Sequence, residues 1–385
     1  MKHRTIAGTI LTVAATALIL FAFLRNSRPA AAAPRFQDPP QELRSANWPQ
    51  LAPEFRGTAA DWLNTAGKAL SLKELIATRH VVLVDFWEYT CVNCLRTIPY
   101  LQEWNKRYAK DGLVIVGIHT PEFQFAKDPH NVAEAVKRLG ITWPVLIDSD
   151  YHNWNAYHNG GWPHKFFIND RGLIVADHFG EGAYDRSEAL IQQLLKQAHP
   201  DLTFPKVMAP VRDADKPGAV CYLQTPEMYV GERGAQQDQH GNLDTYVPGQ
   251  LGFFDDPGTH EDGKVYAQGA WRMEPESLRH GRTTTALQDY IALRYHALEC
   301  NAVIKPEGDK PFRVTIIQDG KPIAKQDKGA DIQYDEKGNS YIQVDTPRMY
   351  RLTANARFGS HELRLASNSP DFGLYSFTFT SCEMK

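Results

Sequence analysis

The chain has 385 residues, of which 43% are hydrophobic and 23% are charged, and its formal net charge at pH 7 is −3. This length and composition are sufficient for more than one hydrophobic core and predict about two domains. The charge shows no basic excess of the kind that binds a phosphate backbone, so we expect no nucleic-acid partner.

The first element along the chain is an apolar stretch. Residues 5–24 carry no charge and, at about 1.5 Å per residue, are long enough to cross a hydrocarbon core of about 30 Å. A cleavable signal peptide has a small-residue cleavage site soon after its apolar region, whereas here residues 25–29, RNSRP, intervene. Residues 1–25 are therefore predicted to be an uncleaved signal anchor, with a cleaved signal peptide as the alternative. The charges on the two sides of the stretch nearly balance and indicate no orientation, whereas scattered single cysteines beside a CxxC sequence favour an exported, periplasmic or extracytoplasmic body.

A linker and an α/β domain are predicted next. Residues 26–53 are rich in Pro, Ala and polar side chains, which is typical of an extended linker. In residues 54–205, short apolar segments alternate with amphipathic ones, which indicates a largely parallel sheet with helices on both faces. The predicted strands are 81–86, 113–119, 145–148, 165–169 and 174–178, and the predicted helices are 91–110, 132–139 and 186–199.

A CxxC sequence, Cys91 and Cys94, follows the first of these strands and opens the first helix. Unpaired N–H groups and the helix dipole at a helix N-terminus favour the thiolate of the first cysteine, which is the form that attacks disulfides. A zinc site would need further ligands at short spacing, and haem attachment would need His where the chain has Leu95. The spacing favours redox chemistry without metal or cofactor, and a static structural disulfide is the alternative.

The stretch around this pair resembles the thioredoxin superfamily. Asp85 matches the buried carboxylate that handles the proton of the second cysteine, and Trp87 matches the tryptophan beside the active site. Pro99 matches the proline of the active-site helix, and Trp162 and Pro163 match the cis-proline loop. The resemblance implies that Asp85 is catalytic together with the two cysteines. It also implies that Trp87, Trp162 and Pro163 bind the substrate.

The sequence is most similar to the TlpA-like domain of DipZ-type proteins, in which a WTYxCxNC stretch and a WPxxxxI loop recur. Glu88 departs from that pattern, because a small or hydroxyl residue is expected there. A carboxylate close to Cys91 would oppose formation of the thiolate. The resemblance implies a thiol–disulfide oxidoreductase that acts on envelope proteins, with reductase or isomerase activity favoured over oxidation. Because the chain has a single apolar span, a reductase would need a separate membrane electron donor of the CcdA type.

The pattern changes after residue 205. Helical periodicity gives way to short alternating segments, and Asp319-Gly320 between two of them is a hairpin signal. Residues 206–385 are therefore predicted to form an all-β sandwich of two sheets. TPEMYVG at 225–231 and LYSFTFT at 374–380 resemble the jelly-roll module of DipZ-type proteins, which has the fold of carbohydrate-binding modules.

That fold suggests a glycan ligand for the second domain. Trp271, Tyr350 and Tyr375 could form a sugar-stacking platform, although aromatic residues of a sandwich more often lie in its core. A second hypothesis for the whole chain is therefore an envelope binding or scaffolding protein. Its β-sandwich would bind a glycan or protein ligand, and the CxxC would be a structural disulfide.

Three further cysteines, Cys221, Cys300 and Cys382, lie in the second domain. In an oxidising compartment two of them are expected to pair. We favour Cys221 with Cys382, since domain termini often lie close together. The alternative is three buried thiols without chemistry.

Overall fold

The structure is a computed structural model that describes residues 44–384, and these residues belong to one compact unit. The anchor predicted at residues 5–24 lies outside the described residues. Between residues 44 and 384, no helix is both long and apolar enough to cross a membrane.

The first part of the described chain folds around a seven-stranded sheet with helices on both faces. The strands are β1 (Arg44–Leu51), β2 (Trp62–Leu63), β3 (Val81–Trp87), β4 (Leu113–His119), β5 (Val145–Ile147), β6 (His164–Ile168) and β7 (Leu173–Phe179), in the spatial order β1-β7-β6-β3-β4-β5-β2. The helices are α1 (Leu72–Ala77), α2 (Val92–Tyr108), α3 (Pro129–Arg138), α4 (His152–Ala156) and α5 (Tyr184–Ala198). β3, β4 and β5 are parallel, and β6 is antiparallel to β3. The predicted α/β architecture is confirmed, and every predicted strand and helix is present within about three residues of its predicted ends.

β3 is the central strand of this sheet. All seven of its residues are buried, as expected of a strand that is covered on both faces. Successive side chains point to opposite faces, so Leu83 packs in one apolar cluster and Val82 in the other. α2 covers the Leu83 face with side chains at helical spacing that include Ile98 and Leu101. This packing fixes where β3 ends and α2 begins.

The prediction of a linker over residues 26–53 is wrong at its C-terminal end. Residues 44–51 form β1, which pairs antiparallel with β7, and Gln50 is paired with Ile174. The segment RSANWPQL contains a proline and no apolar alternation, so its sequence carries no strand signal. The open edge of β7, far along the chain, provides its hydrogen-bonding partner.

The second part of the described chain is all-β apart from a short helix, α6 (Glu232–Gln236), and a single 3-10 turn. β8 (Ala219–Cys221) and β20 (Cys382–Met384) form a separate pair. The 11-stranded sheet contains β9 (Met228–Tyr229), β10 (Leu251–Phe254), β11 (Val265–Met273), β12 (Leu278–His280), β13 (Tyr290–Pro306), β14 (Phe312–Gln318), β15 (Lys321–Pro322), β16 (Gln333–Tyr334), β17 (Ser340–Val344), β18 (Arg348–Ala366) and β19 (Phe372–Thr380). The prediction of an all-β domain is confirmed.

The two sheets predicted for this domain are joined by hydrogen bonds into one. The N-terminal half of β13 pairs with β11 and its C-terminal half pairs with β19, while β18 accompanies it along both halves. The register shifts between Ala297 and Glu299 and again between Cys300 and Asn301, where the ladder is irregular. Such bulges bend long strands, so one pair of strands serves both layers.

The α/β part and the β part share an apolar cluster, which we call the interdomain cluster: Phe123, Phe125, Tyr229 and Tyr375. The rings of Phe125 and Tyr375 are 4.9 Å apart and nearly perpendicular, and those of Phe123 and Tyr375 are 5.4 Å apart. All four side chains are buried. The β part is therefore packed against the α/β part by aromatic contacts of the kind found within a domain core.

A disulfide joins Cys221 in β8 to Cys382 in β20, at a sequence separation of 161 residues, and Cys300 is a buried free thiol.

A cross-link over so long a loop restricts the unfolded chain, so we expect Cys221→Ala to lower the free energy of unfolding by about 2–4 kcal/mol. Cys382→Ala should cost about the same, and the double variant should cost no more than either single variant, because each removes the same cross-link. Urea unfolding followed by circular dichroism measures this. Additive losses would show that packing of the individual side chains matters, and not the cross-link.

Candidate functional site

The cysteine pair lies where β3 gives way to α2. Cys91 is the N-cap residue of α2 and is partly exposed, whereas Cys94 lies in the first turn and is 1% exposed. The Cys91 Sγ accepts the Cys94 backbone N–H at 3.3 Å, and the two sulfur atoms are 2.7 Å apart. Burial, followed by the contact with Cys91, raises the pKa of the Cys94 thiol well above its usual range. The geometry thus provides one accessible sulfur and one protected sulfur within reach of each other.

A buried charge pair lies behind these cysteines. Asp85 in β3 is directly opposite Lys165 in β6, and both side chains are buried. Burial raises the pKa of Asp85 to about 7, although the positive charge of Lys165 opposes the effect. Burial lowers the pKa of Lys165, and its Nζ donates to the carbonyl oxygen of Gly180 at 3.1 Å. The charge of Asp85 also contributes to the raised pKa of Cys94, so a carboxyl that titrates near neutral pH lies within electrostatic range of the protected thiol.

The loop before β6 contains a cis peptide bond between Trp162 and Pro163. His164 is paired with Phe86 of β3, so this loop lies at the same edge of the sheet as the start of α2. The backbone N–H of Gly180 donates to the Pro163 carbonyl at 2.7 Å. Trp162 is partly buried, and its ring lies 4.5 Å from that of Trp154.

The expectation that Trp87 binds the substrate is wrong. Its side chain is 2% exposed and packs inside the domain, with its ring 5.2 Å from the ring of His119. Trp87 is the last residue of β3, in which every residue is buried, and its ring does not reach the surface.

Glu88 lies against the backbone of the cysteine turn. Its side chain is fully buried, and its Oε2 accepts the backbone N–H of Thr90 at 2.6 Å, the Thr90 hydroxyl and the backbone N–H of Cys91 at 3.0 Å. The carboxylate predicted from the sequence to lie near Cys91 is thus in direct contact with its main chain.

Sequence reasoning did not identify Arg96, which connects three parts of the structure. From α2, its Nε donates to Glu181 at 2.8 Å and its Nη1 donates to the Thr380 hydroxyl at 2.6 Å. Its Nη2 donates to the Asn93 side chain, which lies between the two cysteines. Glu181 follows Gly180, whose carbonyl accepts from Lys165 and whose N–H donates to the Pro163 carbonyl. Arg96 therefore links the cysteine turn, the loop that contains Gly180 and Glu181, and the end of β19.

The three aromatic residues that could have formed a sugar-stacking platform lie in cores, as aromatic residues of a sandwich more often do. Trp271 and Tyr350 are fully buried in the core of the β domain, and Tyr375 is 7% exposed within the interdomain cluster. Aromatic rings without an open face cannot stack on a ligand.

Among residues 44–384, no group of three or more His, Cys, Asp or Glu side chains is arranged to hold a metal ion.

Replacement of Asp85 tests the charge pair. Because the pKa of the buried carboxyl is raised from 3.8 to about 7, its contribution to stability is fully present below about pH 4 and is lost as the pH rises through 7. Asp85→Asn removes this dependence. Relative to wild type, the variant should gain about 2–4 kcal/mol in free energy of unfolding between pH 4 and pH 8. Guanidinium unfolding at both pH values measures the change, and parallel stability curves for the two proteins would contradict it.

Comparisons with known proteins agree with this architecture. The AhpC/TSA family model matches residues 49–177, and a model described as a thioredoxin-like C-terminal domain matches residues 225–380. Protein DipZ of Mycobacterium tuberculosis is 32% identical over 330 residues, which cover 86% of this chain and 42% of that protein. The chain therefore spans less than half the length of this relative.

Shorter relatives match the α/β part alone. The thiol-disulfide oxidoreductase YkuV of Bacillus subtilis is 29% identical, over 34% of this chain and 84% of its own. Among solved structures, the thioredoxin-like superfamily protein SPOA0173 aligns with 40% of this chain and 99% of its own at 25% identity, with a TM-score of 0.35. The α/β part of this chain therefore matches the AhpC/TSA family model and its β part matches the thioredoxin-like C-terminal domain model, and the chain is similar to DipZ across both parts.

Proposed function

We propose that this protein is an exported thiol–disulfide oxidoreductase that exchanges disulfides with envelope proteins through Cys91 and Cys94. The observation that carries the proposal is the asymmetry of the pair. One sulfur is accessible at the N-terminus of α2, and the other is buried 2.7 Å away. A nucleophile needs access to its substrate, whereas a resolving thiol needs only to reach the nucleophile.

In this mechanism the Cys91 thiolate attacks one sulfur of a partner disulfide, and the other partner sulfur leaves as a thiolate. Cys94 then transfers its proton to Asp85 and attacks the Cys91 sulfur. The mixed disulfide breaks, the Cys91–Cys94 disulfide forms, and the partner, which has gained two electrons, leaves as a dithiol after its two thiolates take one proton from Asp85 and one from solvent. A carboxyl with a pKa of about 7 can accept and return this proton at neutral pH, which supports the role of Asp85. The same steps in reverse oxidise a dithiol.

We favour reduction or isomerisation as the direction, because of the TlpA-like resemblance. In such a reductase, a separate membrane electron donor of the CcdA type would reduce the Cys91–Cys94 disulfide after each turnover. Export is supported by the Cys221–Cys382 disulfide, since structural disulfides persist in oxidising compartments. Residues 5–24 would hold the protein at the membrane with its body on the outer face.

The alternative is a binding or scaffolding protein in which the CxxC is a structural disulfide. The partial exposure of Cys91 favours exchange over this alternative, because a structural cross-link has no need of solvent access. A glycan ligand of the β domain would need a surface other than the three buried aromatic side chains.

Cys94→Ser tests the assignment of the nucleophile. Without the resolving thiol, Cys91 should remain covalently joined to its substrates, and adducts should appear on a non-reducing gel and disappear on reduction. Cys91→Ser is the matched control and should form no adducts, because the remaining sulfur is buried. Equal adduct formation by the two variants, or none with any envelope extract, would contradict the proposal.

A further inference from the structure

Glu88 places a buried carboxyl group beside the nucleophile. Its side chain is fully buried, and every hydrogen bond to its Oε2 comes from a neutral donor of residues 90 and 91. Three such donors stabilise a carboxylate without neutralising it. The charge is held at the N-terminal turn of α2, where a thiolate on Cys91 would also form.

The other carboxylate oxygen of Glu88 is poorly compensated. Within residues 44–384 its Oε1 makes no hydrogen bond, and the Nε2 of His119 is 3.7 Å away, beyond hydrogen-bond length. The His119 ring is held there by packing, stacked on Tyr89 at 5.4 Å and perpendicular to Trp87 at 5.2 Å. A closer ion pair would require these rings to move.

We propose that Glu88 is a positioning residue that holds the Cys91 backbone and makes the Cys91–Cys94 pair a stronger reductant. The inference rests on the proposed function and favours electron transfer from the cysteine pair to the partner. Reduction of the disulfide adds two electrons and one proton and yields the Cys91 thiolate and the Cys94 thiol. The thiolate exists only in the reduced form, so a nearby negative charge destabilises that form and leaves the disulfide largely unaffected. A pair whose reduced form is destabilised gives up its electrons more readily.

The hydrogen-bonding and electrostatic roles of Glu88 can be separated. Glutamine has the same shape and keeps an oxygen that accepts the N–H groups of residues 90 and 91, but it carries no charge. If Glu88 only holds the turn, Glu88→Gln should leave the redox equilibrium unchanged. If its charge acts on the thiolate, the same variant should shift that equilibrium toward the reduced form.

The test compares full-length wild type and Glu88→Gln in buffers of reduced and oxidised glutathione at pH 7. Alkylation and mass mapping give the reduced fraction of the Cys91–Cys94 pair. We expect the equilibrium constant of Glu88→Gln to move roughly tenfold toward the reduced form, which corresponds to a potential about 30 mV higher. Glu188→Gln is the matched control. Glu188 is also fully buried, but it contacts Arg107 and Tyr108 at the far end of α2, about 24 Å along the helix from Cys91.

Glu88→Thr is a second variant without the charge, for use if the glutamine protein does not fold. An unchanged or lower potential in the folded variant would overturn the inference and leave disulfide exchange intact. A shift of equal size in Glu188→Gln would also overturn it, since the effect would then not depend on proximity to Cys91. A wild-type pair that does not respond to glutathione at all would overturn the proposed function, and the inference with it.

Discussion

The site depends on one constraint, the junction at which a strand buried on both faces runs into the N-terminus of a helix. β3 fixes Asp85 in the interior, and the helix that follows places Cys91 at the boundary with solvent and Cys94 one turn below it. Because both sheet faces are packed, these positions cannot be adjusted independently. The accessible sulfur, the protected sulfur and the buried carboxyl are consequences of a single change from strand to helix.

The charges around this junction act at different depths. Asp85 and Lys165 are paired across two strands beneath Cys94, while Glu88 contacts the backbone of Cys91. In the mechanism proposed above, protonation of the inner carboxyl would affect Cys94, whereas the outer carboxyl would act on Cys91. Electrostatic interactions are stronger in such water-poor surroundings than in bulk solvent.

The β domain is connected to the site and is more than a neighbouring module. The interdomain cluster packs its sheet against the residues that follow β4, and Arg96 joins α2 to the Thr380 hydroxyl. The loop that carries Pro163 is tied to the same arginine through Glu181. The β domain is therefore in direct contact with the helix that carries the cysteines.

Local patterns in the sequence were sufficient to predict most strands and helices and many residues of the site. Short apolar runs located β3 and β4, and Asp319-Gly320 forms the expected two-residue hairpin, with both residues at positive φ and Gln318 paired with Lys321. The contacts that the sequence did not reveal are long-range. Lys165 follows from the register between β3 and β6, and the contact between Arg96 and Thr380 joins residues 284 positions apart.

Burial of aromatic residues was equally hard to foresee. The resemblance implies that Trp87 binds the substrate, and Trp271 is a candidate for a ligand platform, yet both rings lie in cores. The sequence does not tell which face of a strand an aromatic side chain occupies, because the face depends on the pairing register. Asp85 in the apolar segment VVLVDFW indicates a buried charge, whereas Lys165 in HKFFI is placed opposite it only by the register between β3 and β6.

The proposed function requires that Cys91 and Cys94 exchange electrons with a partner in the folded protein. The most direct measurement is mass mapping of alkylated cysteines after the full-length protein is equilibrated with reduced or oxidised glutathione under native conditions. We expect Cys91 and Cys94 to interconvert between thiols and a disulfide, while the Cys221–Cys382 disulfide and the Cys300 thiol stay unchanged. A Cys91–Cys94 pair that changes state only in denaturant would contradict it.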